Sequence, residues 1–411
     1  MTAIIYFFCL SNMEAQPDNS QWLDKFIRSR ASPQLAAILN QPDTFRYQLI
    51  YTKIDRDKNN QPTFKNFSLN VDAGRYFNPA STVKMPVALV AMEKLETLKG
   101  KGVGLQTSML TDSAHEGQVQ VWTDSSASTG LPSIGNYIRK IFIVSDNEAY
   151  NRLYEFVGQE PLNQRLHEMG YTDVRITRRF TRMTEEGNRL TNPMRFVDQQ
   201  GTVIYSQPAA RSNFAFDFSR QQLLGQAHYD RDGNLLQQPM DFTRHNNISL
   251  ADLQQMLQSV LFPASVPEKQ RFRISEPNRQ WLLRAMSELP YESRSPRFDT
   301  SEFFPSYTKF FFFRDGKQPV PAQLRSFNKA GWSYGFLTDI AYVIDTAAGI
   351  EFMLSASIYV NKDGILNDDK YEYEETGYAF FREIGEMIYR YELERRRKYR
   401  PDLSPFILTY D

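Results

Sequence analysis

Cysteine is nearly absent from this chain: Cys9 is the only one in 411 residues. A disulfide framework needs pairs and a thiolate metal site needs several sulfurs, so neither organises the fold. Histidine is scarce as well. His115, His167, His228 and His245 are the whole supply, and no H-x-x-x-H pair occurs among them. Structural or surface roles are expected for all four, and no metal or other cofactor is expected. An excess of one charge is missing too, because 48 Lys and Arg balance 48 Asp and Glu. With no basic field to gather phosphates, nucleic-acid binding is not expected. Long apolar runs are missing: residues 3–10 (AIIYFFCL) hold eight apolar positions, where a bilayer span takes roughly 20. Followed by small and polar residues up to Ala15, that run reads as the core of a signal peptide over residues 1–15, although no Lys or Arg precedes Lys25. The mature chain, residues 16–411, is expected to be secreted or periplasmic, without stable membrane insertion and without cysteine.

What is present alternates in period. Residues 20–40 read as helical, with Trp22, Phe26 and Ile27 on one face. Residues 45–54 and 63–69 are strand-like and flank the turn-rich DRDKNNQP, which predicts a hairpin. Ser81 opens a helical stretch through Leu95, and Pro86 falls near its start, where a missing N–H costs little. Residues 132–144, 148–156 and 161–168 continue as helices, and Ser249-Leu250-Ala251-Asp252 reads as a capped start of another. Residues 276–289 predict one more. Strand character returns in LTDIAYVID (337–345) and IEFMLSASIYV (350–360). Phe380, Ile384, Met387, Ile388 and Tyr391 then recur at helical spacing. The basic end of that helix, Arg395-Arg396-Arg397-Lys398, reads as a solvated C-terminus. Residues 184–247 have few helical signals and read as an insertion whose DRDGN (230–234) is a hairpin turn rather than a calcium loop. The order predicts an α/β (α+β) fold. Strands from both ends (about 20–75 and 320–411) make one antiparallel sheet flanked by helices, and an all-α lobe (about 76–320) is set between them.

Three short segments carry chemistry. Ser81-Thr82-Val83-Lys84 places a hydroxyl and an amine one helical turn apart on one face. A serine needs a neighbouring base, and a desolvated lysine supplies one. The helix start also favours negative charge on an attacked carbonyl oxygen. Ser-x-x-Lys recurs at Ser306 and Ser326, but only Ser81 leads into an apolar helix. Ser145-Asp146-Asn147 follows, and it also suits a helix N-cap. Lys329-Ala330-Gly331 comes third, and is expected just ahead of a strand.

In this order the segments resemble the serine β-lactamase and penicillin-binding protein superfamily, most nearly class A β-lactamases. The resemblance spans roughly residues 20–180 and 248–395. It implies a β-lactamase/transpeptidase-like fold and an acyl-enzyme at Ser81, with Lys84 as base. It further implies that Ser145 relays a proton to the leaving group, that Asp146 braces its loop, and that Asn147 holds the substrate amide and the lysine. Lys329 would bind a substrate carboxylate and Gly331 would permit close approach. The Trp332 backbone N–H would be the second oxyanion donor beside that of Ser81.

The chain departs from the class A pattern in three places. Ala330 replaces a hydroxyl residue, with Ser333 as a possible substitute. No arginine lies on residues 337–345, and Arg325 is a distant candidate for binding a carboxylate. The glutamate that activates the deacylating water has no counterpart: Phe180 or Thr181 falls there, and Glu185 and Glu186 reach the site only if the loop is rearranged. The expected activity is class A-like hydrolysis of a β-lactam or related cyclic amide, with antibiotic resistance as its biological label. The alternatives are a D-Ala-type peptidase or esterase, or a penicillin-binding sensor that is acylated without turnover. Partners are then a small molecule or a cell-wall peptide. Natural substrate, oligomeric state and the purpose of the insertion stay open.

Overall fold

The computed structural model describes residues 17–115 and 117–410; the signal-peptide expectation for residues 1–15 lies outside them. A five-stranded antiparallel sheet organises the chain. Its strands are β1 (Gln48–Arg56), β2 (Pro62–Leu69), β3 (Leu324–Ser333), β4 (Phe336–Asp345) and β5 (Ile350–Tyr359). The spatial order is β3-β4-β5-β1-β2, so the two ends of the chain meet at the β1–β5 pair and β3 forms one edge. The 45–69 hairpin expectation holds, with Tyr51 opposite Phe67.

β4 and β5 are buried along their whole length, because the sheet is covered on both faces. The period of two sorts their residues between two cores. Phe336, Ile340, Tyr342 and Ile344 join the large core shared with the helical lobe. Leu337, Ala341 and Val343 join a second core under the terminal helices. That second core is closed by α1 (Pro17–Arg28) and a 17-residue C-terminal helix, Tyr378–Glu394. The helix expected over 20–40 is broken in two. Ser32 caps a new start by accepting from Leu35 N at 3.1 Å, and Pro33 fits the first helical position but could not continue α1.

The helical lobe centres on α2 (Lys84–Leu98), whose apolar run leaves no solvent face over its first ten residues. Around it stand α3 (Ile134–Ile143), capped by Ser133, and α4 (Asn147–Val157), capped by Asp146. α5 (Leu250–Leu261) starts at Ser249, whose hydroxyl accepts from Asp252 N as the sequence suggests. Residues 184–247 carry short strands that pair with the rest of the chain rather than forming a separate body: Met194–Val197 pairs with Ser108–Thr111, and Ala227–Tyr229 with Ile365–Leu366. No helix of the described residues is long and apolar enough to cross a membrane.

Candidate active site

The segment that carries Ser81 begins with backbone strain. Ala80 sits at φ +44°, a region that costs a residue with a Cβ roughly 1–3 kcal/mol. Asn78 Oδ1 accepts from its N–H at 2.8 Å, and a 3-10 turn, Ala80–Val83, then leads into α2. From Tyr76 to Glu93 every side chain is buried except that of Ser81, which is half-buried. The chain thus singles out one hydroxyl for solvent. A second strained residue, Ser145 at φ +61°, lies in the loop between α3 and α4.

Lys84, at the start of α2, is completely buried and turned toward that loop. Its Nζ donates to the Ser145 carbonyl and to Asn147 Oδ1 at 2.7 Å, and lies 3.4 Å from Ser145 Oγ. Lys329 Nζ, from β3, donates to Ser145 Oγ at 2.9 Å and to the Ala330 carbonyl at 2.6 Å. Ser145 Oγ is therefore held between two amines. Burial first, and the Lys329 charge second, hold Lys84 well below the ordinary lysine range. Burial likewise lowers Lys329 to about 7, with Asp339 working against the shift. Both shifts disfavour the charged amines, and the Lys329 charge adds to the burial of Lys84.

Gly331 brings β3 against the Ser81 segment. A Cβ there would stand 2.6 Å from Ser81 N and 2.9 Å from Thr82 N, both backbone atoms that cannot swing aside. Only glycine lets the strand lie this close. Gly331→Ala is expected to slow covalent labelling of Ser81 by about 10²-fold through displacement of the segment, since misplacement by an ångström costs on that order. Labelling kinetics at unchanged probe concentration would check it.

The structure thus gathers Lys84, Ser145, Asn147, Lys329 and Gly331 around Ser81 and its turn. No hydrogen bond among the described residues joins Ser81 Oγ to Lys84 Nζ, whose contacts are those to the Ser145–Asn147 loop. Substrate-free sites often hold such bonds long and close them in the complex. Lys329-Ala330-Gly331 lies inside β3 rather than ahead of a strand, because all ten residues of β3 pair with β4. Trp332 continues β3 opposite Leu337 and packs on Tyr307 and Phe310.

The sequence model of the "Beta-lactamase enzyme family" matches residues 31–391. The chain belongs to that family. Among solved structures it is similar to a β-lactamase from Xanthomonas campestris pv. campestris, at 15% identity, 89% of this chain, 98% of that one and TM-score 0.48. It is also similar to a β-lactamase from Burkholderia vietnamiensis, at 13% identity, 94% of this chain, 100% of that one and TM-score 0.46. No curated protein matches it significantly.

Within this β-lactamase-family chain the departures have visible causes. Ala330 is wholly buried in the core under the terminal helices, so its side chain faces away from that of Lys329. Ser333 shares the face of Lys329 and Gly331 at the hairpin end of β3. Arg325 is withdrawn as a carboxylate binder: it forms a two-pronged pair with Glu292 at 2.8 and 3.0 Å and stacks on Tyr410. Glu185 and Glu186 are also withdrawn. Both are exposed and paired outward, with Arg244 at 2.9 Å and Arg211 at 2.7 Å. The ring of Phe180 instead lies 5.1 Å from Lys84 Nζ, wedged by Tyr150 at 4.7 Å. The other two Ser-x-x-Lys segments are not alternatives. Ser306 is wholly buried, with no partner for its hydroxyl among the described residues, and Ser326 lies on a strand.

One group of residues escaped the sequence reading. Lys309 Nζ donates to Asn328 Oδ1 at 2.6 Å, and Asn328 Nδ2 donates to Asp339 Oδ1 at 2.8 Å. All three are buried: Asn328 adjoins Lys329 in β3, Asp339 lies opposite Ala330 on β4, and Lys309 comes from the loop that precedes β3. Burial raises Asp339 and lowers Lys309, and each one's charge opposes the shift of the other. An acidic residue inside the apolar stretch LTDIAYVID was the available signal.

Proposed function

We propose that this chain is a serine hydrolase that forms an acyl-enzyme at Ser81 and opens the C–N amide bond of a β-lactam or related cyclic amide. One observation carries the reading. The only side chain between Tyr76 and Glu93 that is not buried is a serine hydroxyl; the lysine three residues on is buried and bonded to the strained Ser145 loop, and the strand carrying the second buried amine packs its Gly331 against Ser81 N. In the proposed reaction neutral Lys84 takes the Ser81 proton, directly or through Ser145, while Ser81 Oγ bonds to the carbonyl carbon. Electron density moves to the carbonyl oxygen, where the Ser81 and Trp332 N–H groups would stabilise it. Ser145 then delivers a proton to the departing nitrogen and is replenished from its amine neighbours. Lys329 would anchor a carboxylate, and Asn147 would hold the substrate amide as well as Lys84.

The second reading, a D-Ala-type peptidase, esterase or acylated sensor, is favoured by Phe180. A hydrocarbon ring over Lys84 cannot activate water, so acylation outruns deacylation and the adduct accumulates. The free edge of β3 beside Ser81 also suits an extended peptide. Intact-mass spectrometry after penicillin, run beside nitrocefin turnover and D-Ala-D-Ala cleavage, separates these outcomes. Absence of any adduct and of any turnover would sink both. Phe180→Glu is expected to shorten the penicillin adduct's lifetime about tenfold or more, because a positioned base contributes on the order of 10²–10⁴. A lifetime unchanged by that substitution would mean the Phe180 position does not control water activation.

A further inference from the structure

Residues 184–247, together with the loop that carries Phe180, wall a cavity of about 370 Å³. Its lining includes Arg178 but neither Phe180 nor Lys84, so it is a separate space from the reaction centre. Four arginines face it, Arg178, Arg189, Arg231 and Arg244, against two carboxylates, Glu185 and Asp241. Glu185 is committed to Arg244, and Asp241 Oδ1 accepts from Thr243 N at 2.8 Å. Among the described residues, no carboxylate forms an ion pair with Arg178, Arg189 or Arg231. Arg189 donates to the carbonyls of Ser212 and Phe214. Arg178 Nη1 lies 2.8 Å from His245 Nε2. A guanidinium has only donors, so that ring nitrogen accepts and His245 is neutral, with its proton on Nδ1. Four arginines against two carboxylates leave a net positive charge lining a partly open space.

One wall is aromatic. Residues 213–218 (NFAFDF) alternate, leaving Phe214, Phe216 and Phe218 half-buried while their neighbours face solvent. The rings follow one another at 5.0 and 5.7 Å, and Phe216 and Phe218 line the cavity. The Arg244 guanidinium stands 4.7 Å from the Phe218 ring and that of Arg189 stands 6.0 Å from the Phe216 ring. Arg231 arrives on the DRDGN turn, which is tightened by Asp230 Oδ1 accepting from Asp232 N and Asn234 N.

We propose that this cavity is a second binding site, for a small organic anion: a carboxylate or phosphate carried on a ring or other flat apolar body. The guanidinium fork matches either oxyanion, the phenylalanines take the body, and the volume falls in the range of about 300–1,000 Å³ of small-molecule pockets. Arg178 links the site to the chemistry by position. Its carbonyl accepts from Tyr150 OH at 2.8 Å, and two residues later Phe180 rests over Lys84.

Calorimetric titration of the mature chain with phenyl phosphate and with benzoate tests this, beside benzyl alcohol and inorganic phosphate. Saturable binding of one or both aromatic anions is expected, with benzyl alcohol silent and inorganic phosphate weaker. Whichever of the two binds more tightly names the headgroup. Arg178→Gln and Arg231→Gln should each weaken that binding about tenfold or more, as for loss of a charge-assisted hydrogen bond. Arg231 is exposed on a turn, so its variant keeps the fold; a thermal unfolding curve verifies this. Lys329→Ala should leave the affinity within about twofold, because it removes only the reaction centre's cation. Affinity lost in Lys329→Ala but kept in Arg231→Gln would place the anion beside Ser81 and overturn the proposal. So would the absence of saturable binding, or equal binding of benzyl alcohol or inorganic phosphate. The readout needs no acylation, so it stands or falls apart from the reading of Ser81.

Discussion

Ser81→Ala is expected to abolish covalent labelling by penicillin-type and fluorophosphonate probes, leaving no mass adduct where the parent chain gives one. The expectation is total rather than partial because the neighbouring hydroxyls are poorly placed to substitute. Ser145 is buried, and its Oγ is held between Lys84 and Lys329. Ser306 is wholly buried, and the lysine one turn after it, Lys309, donates to Met286 O, Ser326 O and Asn328 Oδ1. An adduct of equal yield on the variant would move the nucleophile elsewhere. Peptide mapping of that adduct would name the residue.

The parts of this site that were legible in the sequence are those where local chemistry restricts residue type. A serine one turn before a lysine at the mouth of an apolar helix can be read from spacing alone. Ser145-Asp146-Asn147 carried two readings, a helix cap and a polar loop at the site. They coexist because different side chains serve them: Asp146 accepts from Ala149 N, while Asn147 accepts from Lys84. The core strands were legible too, since a sheet buried on both faces reads as continuous hydrophobic sequence.

Features that depend on pairing across the chain were not legible. Lys309, Asn328 and Asp339 come from a loop and two strands: the β3–β4 register brings Asn328 to Asp339, and the loop brings Lys309 to Asn328. That register also places Lys329-Ala330-Gly331 inside an edge strand rather than before one. Arg325 looked free in sequence because Glu292, its partner, lies 33 residues away. The insertion carried little periodicity because its strands are two to five residues long, too short for alternation to stand out.

Lys84→Ala is expected to slow acylation by about 10²–10⁴-fold, the loss typical of a positioned general base, while leaving Ser81 intact. The pH dependence distinguishes that role from simple packing. In the parent chain kcat/KM should rise as Lys84 loses its proton, at a pH well below the ordinary lysine range because burial disfavours its charge. On the proposed role of Lys329 as the carboxylate anchor, it should then fall near pH 7 and above as that ammonium is neutralised. On the proposed reaction the acid limb is expected from Lys84 and the alkaline limb from Lys329. A neutral ester should lose only the alkaline limb, and Lys84→Ala should lose only the acid one. The same burial links stability to pH with one sign. Folded Lys329 binds fewer protons than the unfolded chain between about 7 and the usual lysine value, so unfolding free energy should rise with pH across that window. If Lys84 serves only to pack the lobe, Lys84→Met would preserve both the rate and the acid limb. Rate loss with an unchanged melting temperature would instead assign Lys84 to the chemistry.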